Sequence, residues 1–444
     1  MIRKLSILLA IMVLGSSGLY AQRNMNLYGL DHLTQAQDLN PAFMPDARFS
    51  LGLGTGMINL NYVGFFSTRD VFSADMTANE HIDLLIGKML DGRSEVALAG
   101  QVSPFNLGFR VKKSYFNVGA SFHVESSLSF PPKVFDMLWN GNSKYKGENV
   151  EVDDLNIGLS AYSKIYAGLS FPVGEKLHAG IRLNYLMGHA NVTTTKMNGF
   201  LYTDDQDYSI TANLDAQFNM SNIPVDSAHR DTFDVMNLIK TGNTGFGADI
   251  GLRYEFSDAW EFSGSLLNLG SITWEDATYS YASKGEYTFE GFDPVNDSVD
   301  PSAVIDTLVK IFTPVQEQGT AYKTGLRPEV FLGAKYRLSN GHEAGSRIYM
   351  RFIPDNFRFA WGFNYKLTFG RWFYLNPSYA FVKGAPANLG LGVGVRALGL
   401  DLHFVADNLS SIAWDESEAV AIQFGLQFTF KPKKPKAVQP VQFF

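Results

Sequence analysis

Apolar and polar side chains alternate along residues 244–256, and the alternation resumes beyond a short turn as far as residue 270. One parity carries Phe246, Ala248, Ile250, Leu252, Tyr254 and Phe256. The other parity carries Asp249, Arg253 and Glu255. Because a β-strand sends successive side chains to opposite faces, the pattern predicts a hairpin with one apolar face and one polar face.

The same pattern recurs almost to the end of the chain. Further hairpins are predicted within residues 105–124, 155–185, 330–365 and 389–404, followed by a last strand over 422–430. A soluble β-sandwich shows the same alternation, with its apolar face turned inward. Strand length, the many aromatic residues on the apolar face and the alternation of short turns with long loops favour a transmembrane β-barrel instead.

The spacing of the connections predicts the number of strands. Short connections are expected near residues 112–113, 174–176, 257–258, 370–371 and 398–399. Long connections are expected near residues 63–94, 130–151, 190–242 and 273–327. With both termini in the periplasm, residues 48–430 form an all-β antiparallel barrel of about 14 strands, in which 191–220 is an extracellular extension. If that extension crosses the membrane, the number rises to about 16.

The first residues follow the pattern of a secretory signal peptide. Arg3 and Lys4 precede an apolar run from Leu5 to Leu14, and small residues lead to Ala21. The run is too short to span a bilayer as a helix. Cleavage after Ala21 removes 21 of the 444 residues and two basic residues, which moves the net charge from −7 to −9. The localisation expected is the bacterial outer membrane, and the acidic balance gives no support to nucleic-acid binding.

Several classes of chemistry find no support in the sequence. The chain contains no cysteine, which excludes disulfides, thiolate metal sites, a cysteine nucleophile and a lipid-modified cysteine. It shows no catalytic or cofactor motif, and its eight histidines are scattered. We therefore expect no enzyme activity, no cofactor and no metal. The glycine-rich runs 52–56 and 390–394 lie within strand patterns and are interpreted as wall glycines.

The polar face carries charges of both signs. These residues are Arg110, His123, Arg182, Asp249, Arg253, Glu255, Lys335, Arg337, Arg347, Arg351, Arg358, Arg396, Asp401 and His403. They fit either a lumen that guides a solute or a lattice of salt bridges and hydrogen bonds that fills a narrow barrel. The mixed signs favour the lattice, because a selective pore more often lines its constriction with one sign.

The segments outside the strands leave further alternatives. Residues 22–47, with Asn40, Pro41 and Ala42, fit a periplasmic segment that leads into the first strand, because a proline turn suits such a segment. Helical spacing predicts loop helices at Ile82, Leu85, Ile86 and Met89, and at Ile305, Leu308, Val309 and Phe312. The acidic loop 293–300 lacks the regular spacing of a calcium site. Residues 431–444 form a basic, proline-rich periplasmic tail, which is expected to be solvated.

Four short motifs resemble known outer-membrane barrels. They are Asn40-Pro41-Ala42, the strand containing Gly180 and Tyr185, the hairpin from Gly247 to Gly270 with Trp274, and Ala406-Asp407-Asn408-Leu409. The first three resemble elements of FadL-like and PorV-like barrels. The last, with the strand at Phe424, is similar to a Bacteroidota outer-membrane family of unknown function. The final strand ends at Phe430, ahead of the basic tail, whereas the barrel assembly signal is typically at the extreme C-terminus.

The resemblance implies two functions from different classes. A FadL-like barrel implies binding or passive transport of a small apolar solute through a plugged lumen. The same resemblance implies that residues 22–47, with Asn40, Pro41 and Ala42, form a hatch inside the lumen, which is the alternative to the periplasmic segment; a proline turn fits both. A PorV-like barrel implies a non-transporting docking platform for a protein of the secretion or cell-surface machinery. Outer-membrane lipid is the partner that both interpretations share.

Overall fold

The computed structural model describes residues 24–53, 57–63, 76–90, 95–223, 242–289, 315–339, 341–353, 356–382, 385–409 and 419–430. The predictions made for residues 1–21, 293–300, 305–312 and 431–444 lie outside these residues. Within them no helix is long and apolar enough to span a bilayer.

The described chain is built mainly from β-strands. The first ten are β1 (Phe49–Leu53), β2 (Met57–Val63), β3 (Glu95–Val111), β4 (Ser114–Ser129), β5 (Asn149–Glu151), β6 (Asn156–Val173), β7 (Leu177–Thr203), β8 (Ile210–Ser221), β9 (Thr244–Glu255) and β10 (Trp260–Trp274). The next ten are β11 (Thr278–Phe289), β12 (Val315–Gln318), β13 (Tyr322–Gly325), β14 (Glu329–Arg337), β15 (Glu343–Ile353), β16 (Asn356–Phe369), β17 (Phe373–Val382), β18 (Ala385–Ala397), β19 (Leu400–Ala406) and β20 (Ala419–Phe430). The helices are α1 (Met25–Tyr28), α2 (Ala78–Leu90) and α3 (Pro132–Asn140), with 3₁₀ turns at Thr34–Asp38 and Asn142–Tyr145.

The sheet is antiparallel and closes on itself. Phe49 of β1 lies opposite Phe109 of β3 on one side and opposite Phe430 of β20 on the other. Four wall strands are each assembled from consecutive segments: β1 with β2, β8 with β9, β10 with β11, and β12 with β13 and β14. The described residues therefore form a closed barrel of 14 strands, which confirms the main prediction and excludes the alternative of 16.

On one side the wall extends beyond the barrel. The first half of β7 pairs with β9, and its second half, from Asn191 onward, pairs with β8. Strand β8 then pairs with β11, and β11 pairs with β12. We call this extension, with β5 and α3, the crown. It has its own apolar core, formed by Val134, Met137, Tyr145, Val150, Val152, Met197, Leu201, Ala212, Leu214 and Ala216.

The helix predicted at residues 82–89 is present as α2, which lies near α3. The indole Nε1 of Trp139 donates a hydrogen bond to Asp83 (2.9 Å), and Ile86 and Met89 are buried. The short connections lie at the opposite end of the barrel from the crown, and we call this the turn end.

The apolar face of the wall points outward. Phe246 is 73% exposed and Leu183 is 61% exposed, whereas the inward-facing Asp249 is 3% exposed. Aromatic residues cluster on the outer surface at the turn end, where Trp260 lies 5.0 Å from Tyr336 between ring centroids. An outward apolar band with aromatic residues near its edge is the surface of an outer-membrane barrel.

Candidate functional site

The N-terminal segment lies inside the barrel. Leu27, Leu30 and Leu33 are fully buried. Polar contacts connect the segment to strands around the wall: Asn40 to β9 and β10, Asn26 to β17, and Thr34 to β20. A segment that contacts the wall in so many directions occupies the lumen, and we call residues 24–47 the plug.

Apolar packing accounts for much of the contact between plug and wall. One buried cluster joins plug side chains, among them Met25, Tyr28 and Phe43, to Leu267, Phe331, Tyr349 and Tyr374 of the wall. The ring of Tyr28 is stacked on Phe331 at 5.0 Å between centroids. Burying such side chains contributes about 1.5–3 kcal/mol each, so the plug is a packed part of the interior.

The Asn40-Pro41-Ala42 motif lies on a row of small residues that we call the glycine cradle: Ser170, Gly180, Gly251 and Ser265. These residues are directly opposite one another on β6, β7, β9 and β10. The hydroxyl of Ser170 donates to the Pro41 carbonyl (2.5 Å), and that of Ser265 donates to the Leu39 carbonyl (2.5 Å).

The two glycines are required by the close approach of the plug backbone. A Cβ atom on Gly180 would lie 2.1 Å from the Pro41 carbonyl carbon, and one on Gly251 would lie 2.8 Å from the Ala42 nitrogen. Asn40 is fully buried, and its amide donates to the carbonyls of Leu252 (3.2 Å) and Gly264 (3.3 Å). The structure thus places Asn40-Pro41-Ala42 against β7 and β9, the two wall strands that also carry motifs resembling FadL-like and PorV-like barrels.

Asp407 holds the start of the plug on the other side of the lumen. Its carboxylate accepts a hydrogen bond from the Asn26 backbone N–H (2.7 Å), at the first turn of α1. The Asn26 side chain donates to the Asn376 carbonyl (3.1 Å) and to Ser378 (3.1 Å). An acidic group is favourable at a helix N-terminus because the first N–H groups have no partner within the helix.

Charged wall residues also bind the plug directly. Arg182 pairs with Asp38 (2.6 Å) and Lys335 pairs with Asp31 (2.5 Å). Arg110 donates to the Pro45 carbonyl (2.6 Å), and Arg347 donates to the Met25 carbonyl (2.7 Å). These four members of the predicted charged set therefore bind the plug through contacts of 2.5–2.7 Å.

The other charged residues of that set pair mainly within the wall. At the turn end, Arg253 and Arg337 both pair with Glu261, and Arg253 also pairs with Glu255. Arg396 pairs with Asp401 (2.7 Å), next to the buried His403. Asp249 accepts hydrogen bonds from the side chain of Asn184 (2.9 Å) and from the backbone of Asn268 (2.7 Å).

Two ion pairs cross the lumen on the crown side of the plug. Arg351 on β15 pairs with Glu125 on β4 (2.6 Å), and Arg358 on β16 pairs with Glu95 on β3 (2.5 Å). The first pair joins the ninth wall strand to the third, and the second joins the tenth to the second. These pairs link nearly opposite sides of the barrel, so charged side chains reach across the lumen here.

A polar cavity of ≈ 40 Å³ lies between the plug and these cross-lumen pairs, and we call it the chamber. The plug residues Asn24, Asp38 and Leu39 form one side of it. The wall contributes Gln101, Ser121, His123, Glu125, Tyr162, Lys164, Arg182, Leu267, Asn268 and Glu329. His123 bonds to Ser121 (2.7 Å) and is stacked on Tyr162 (4.9 Å between centroids). In the part of the chain that the structure describes, no group of His, Asp and Glu residues is arranged to hold a metal ion.

Two buried plug residues have shifted pKa values. Burial lowers the pKa of His32 well below 6.5, and the positive charges of Arg396 and Lys366 lower it further. Burial alone would raise the pKa of Asp31, but Lys335 and Lys366 hold that pKa well below its usual range. His32 also faces Asp401 (3.9 Å), the edge of Tyr374 and His403. The docked plug therefore favours a neutral His32 and an ionised Asp31.

Acidification is expected to weaken docking of the plug. A released His32 binds a proton below about pH 6.5 whereas the docked one does not, so docking is strongest above pH 6.5 and weakens as the pH falls. Asp31 acts in the same direction below about pH 4. The melting temperature of the detergent-solubilised protein should fall between pH 7 and pH 5, and His32→Asn should flatten that fall. An equally steep fall in His32→Asn would contradict the assignment to His32.

The sequence signature of a family of unknown function, DUF5723, matches residues 41–407. The chain belongs to the DUF5723 family. The match begins at Pro41 on the glycine cradle and ends at Asp407, which binds the start of the plug. No match is found among the curated proteins.

Several proteins of solved structure are similar to this DUF5723 chain over most of its length. A deletion mutant of the TodX monoaromatic hydrocarbon channel of P. putida is 11% identical, with 94% of this chain and 96% of that chain covered and a TM-score of 0.43. The toluene transporter TbuX of Ralstonia pickettii is 11% identical, with 89% and 93% covered and a TM-score of 0.41. A FadL homologue of Pseudomonas aeruginosa is 10% identical, with 88% and 92% covered and a TM-score of 0.40. Likeness at this level carries no argument on function.

Sequence reasoning on this DUF5723 chain missed several residues of the site. Asp31 and Asp38 of the plug and Glu261 of β10 were not among the predicted charged set, although they bind its members. Two signals were available for the cradle and for Asp407: glycines at matching inward positions of two strands, and the Ala406-Asp407-Asn408 motif. Neither signal indicates its plug partner, because the partner is more than 130 residues away in each case.

Proposed function

We propose that the protein is an outer-membrane barrel that binds a small solute in the chamber and lets it pass only when the plug moves. The observation that carries this proposal is that plug residues Asn24, Asp38 and Leu39 form part of the chamber surface. A solute in the chamber contacts both the wall and the plug, so that binding and plug position are coupled. No catalytic role is part of the proposal.

The proposal includes an orientation and a route of export. The signal peptide 1–21 is cleaved, the crown faces the outside, and the turn end faces the periplasm, in keeping with long extracellular loops and short periplasmic turns. The chamber then lies on the external side of the Asn40-Pro41-Ala42 motif, which acts as the hatch. A solute entering from the crown meets the chamber before the hatch.

The chamber favours a polar solute over the apolar one that the family resemblance implied. Charged and hydrogen-bonding side chains make up most of its lining. A hydrocarbon would leave these groups without water or partners, which costs about 1–3 kcal/mol for each hydrogen bond lost. Uptake of an apolar solute stays a prediction from resemblance.

Removing the plug tests whether it closes the lumen. A variant lacking residues 24–46 is expected to conduct ions in planar bilayers, while the intact protein remains silent, because the plug occupies the lumen between the cradle and Asp407. Heat-modifiable migration on gels checks that the variant still forms a barrel. Equal conductance of the two folded proteins would overturn the assignment of the plug as the closing element.

A second candidate function rests on the crown. Its separate apolar core shows that β5, β8 and α3 fold into a defined structure above the wall, and Phe135 and Trp139 of α3 are 36% and 37% exposed. Such a surface suits a docking platform for a surface protein. Extraction in mild detergent followed by mass spectrometry separates the two functions. A stoichiometric protein partner that is lost in a Phe135→Ser/Trp139→Ser variant favours the platform, and a lone barrel with a bound small molecule favours uptake.

A further inference from the structure

We propose that the chamber binds a small carboxylate anion through Lys164 and Arg182. This inference rests on the proposed function, because it names the chemical class of the solute. It depends on three features: unpartnered guanidinium nitrogens, a buried lysine without a carboxylate partner, and a cavity of matching size.

Arg182 has hydrogen-bond donors that the protein leaves unused. It is 2% exposed. Its Nη1 pairs with Asp38 (2.6 Å), and its guanidinium lies over the ring of Tyr166 at 4.1 Å from the centroid. Its Nε and Nη2 make no hydrogen bond to the described residues. Buried donors are almost always satisfied, and these belong to a side chain that lines the chamber.

Lys164 is the second cationic group of the chamber. It is 7% exposed, and its ammonium donates to the Asn268 side-chain oxygen (3.1 Å). Among the described residues no carboxylate oxygen lies within 4.0 Å of this ammonium group. An ammonium group carries three donors, so the contact with Asn268 leaves two for a ligand.

The position of Asn268 supports this arrangement. Asn268 lies at the irregularity of β10 between Leu266 and Leu269, in a left-handed conformation with φ 60°. Its backbone N–H donates to Asp249 (2.7 Å). Asn268 thus contacts Lys164 from an unusual backbone conformation. Because its side-chain amide is neutral, the contact does not compensate the charge of the lysine.

The carboxylates around the chamber have cationic partners already. Glu125 and Glu329 both face Arg351, at 2.6 Å and 3.6 Å, and Asp38 pairs with Arg182. Lys164 is the chamber cation that lacks such a partner within the described residues. A buried charge without a counter-charge is costly, so the chamber favours an anion over a cation.

The size and geometry of the chamber indicate which anion it takes. A cavity of ≈ 40 Å³ has room for about three water-sized groups. That space fits a carboxylate such as acetate and is small for a sugar or a nucleotide. Guanidinium N–H groups bind a planar carboxylate through two parallel hydrogen bonds, and the unpartnered Nε and Nη2 of Arg182 carry N–H groups of this kind.

Titration of the intact, detergent-solubilised protein with ¹³C-acetate, followed by NMR line broadening, tests the proposal. The wild type is expected to broaden the acetate signal saturably, and Lys164→Met should lower the affinity at least about tenfold, which corresponds to roughly 1.4 kcal/mol. Lys176→Met, at an exposed turn, is the matched control and should bind like the wild type. Methylammonium, of similar size and opposite charge, should not bind.

A second variant covers the case in which Lys164→Met does not fold. Asn268→Asp gives Lys164 an internal carboxylate partner and keeps the left-handed conformation accessible, so it should abolish acetate binding in an intact barrel. Undiminished acetate binding in either folded variant, no saturable binding by the wild type, or preference for methylammonium would overturn the proposal. Conductance of the plugless variant is measured separately. If the wild type binds acetate but the plugless variant does not conduct, the proposed passage of solute is refuted and the anion site is still supported.

Discussion

Gly180→Ala is expected to displace the plug from its site, whereas Gly247→Ala should leave it in place. The added methyl group on Gly180 would lie 2.1–2.4 Å from backbone atoms of Pro41 and Ala42, so the plug backbone has to shift. At Gly247 the nearest atoms are 3.4 Å or farther away, which is ordinary contact. Forcing one extra methyl group into a packed site costs about 1–3 kcal/mol. Here the clash exists only while the plug is docked, so it destabilises the docked state relative to the released state.

Because the chain contains no cysteine, a single introduced cysteine can report whether the plug is docked. Ala36 is fully buried within the plug, so Ala36→Cys should react slowly with a membrane-impermeant thiol reagent while the plug is docked. Adding Gly180→Ala should raise the labelling rate roughly 5- to 150-fold, the equivalent of 1–3 kcal/mol in docking. Gln206→Cys, at an exposed position of the loop between β7 and β8, reports the reactivity of an exposed thiol.

Two results would count against this account of the glycine cradle. Labelling that does not change in Gly180→Ala would show that the plug tolerates the methyl group. Labelling that rises equally in Gly247→Ala would show that any substitution on these strands loosens the barrel. The predicted clash at Gly180 is supported only if Gly180→Ala raises the labelling rate more than Gly247→Ala does.

Arg351→Met is expected to destabilise the barrel by about 3–5 kcal/mol, because it leaves the buried Glu329 and the partly buried Glu125 without their shared cation. Arg351 is 7% exposed and lies 2.6 Å from Glu125 and 3.6 Å from Glu329. Its removal also deletes one of the two cross-lumen pairs. Urea unfolding in detergent micelles, followed by tryptophan fluorescence, measures the loss.

The triple variant Arg351→Met/Glu125→Gln/Glu329→Gln separates the ion pairs from packing. With both carboxylates neutral, most of the lost stability should return, since the penalty comes from carboxylates that have lost their shared cation. Arg371→Met, at an exposed short turn, is the control and should change stability by less than about 0.5 kcal/mol. A triple variant no more stable than Arg351→Met would show that the arginine acts through packing.

The alternation of apolar and polar residues was sufficient to predict the wall of the barrel. In the hairpin of β9 and β10, the alternation of Ile250 and Leu252 with Asp249 and Arg253 identifies the outer and inner faces, because side-chain direction in a strand depends only on neighbouring residues. The position of short turns and long loops was enough for 14 strands. The same reasoning identified the inward charges, including Arg182 and Arg351.

The partners of those charges were beyond the sequence. Arg351 pairs with Glu125 across 226 positions, and Arg182 pairs with Asp38 across 144. The alternation of apolar and polar residues shows that each of these side chains faces the lumen. It does not show which strands lie opposite each other once the sheet closes. A one-residue change of register between two strands would exchange their inward and outward faces, so the pairing follows from the closed sheet as a whole.

The sequence by itself therefore determined an outer-membrane barrel with an apolar exterior, a charged interior and an N-terminal segment of two alternative positions. Only the tertiary structure placed that segment in the lumen, against Gly180, Gly251 and Asp407. The physical reason is that the segment has no periodic pattern of its own. Its buried position depends on room left by glycines and on partners supplied by strands on every side, and these come together only when the barrel closes.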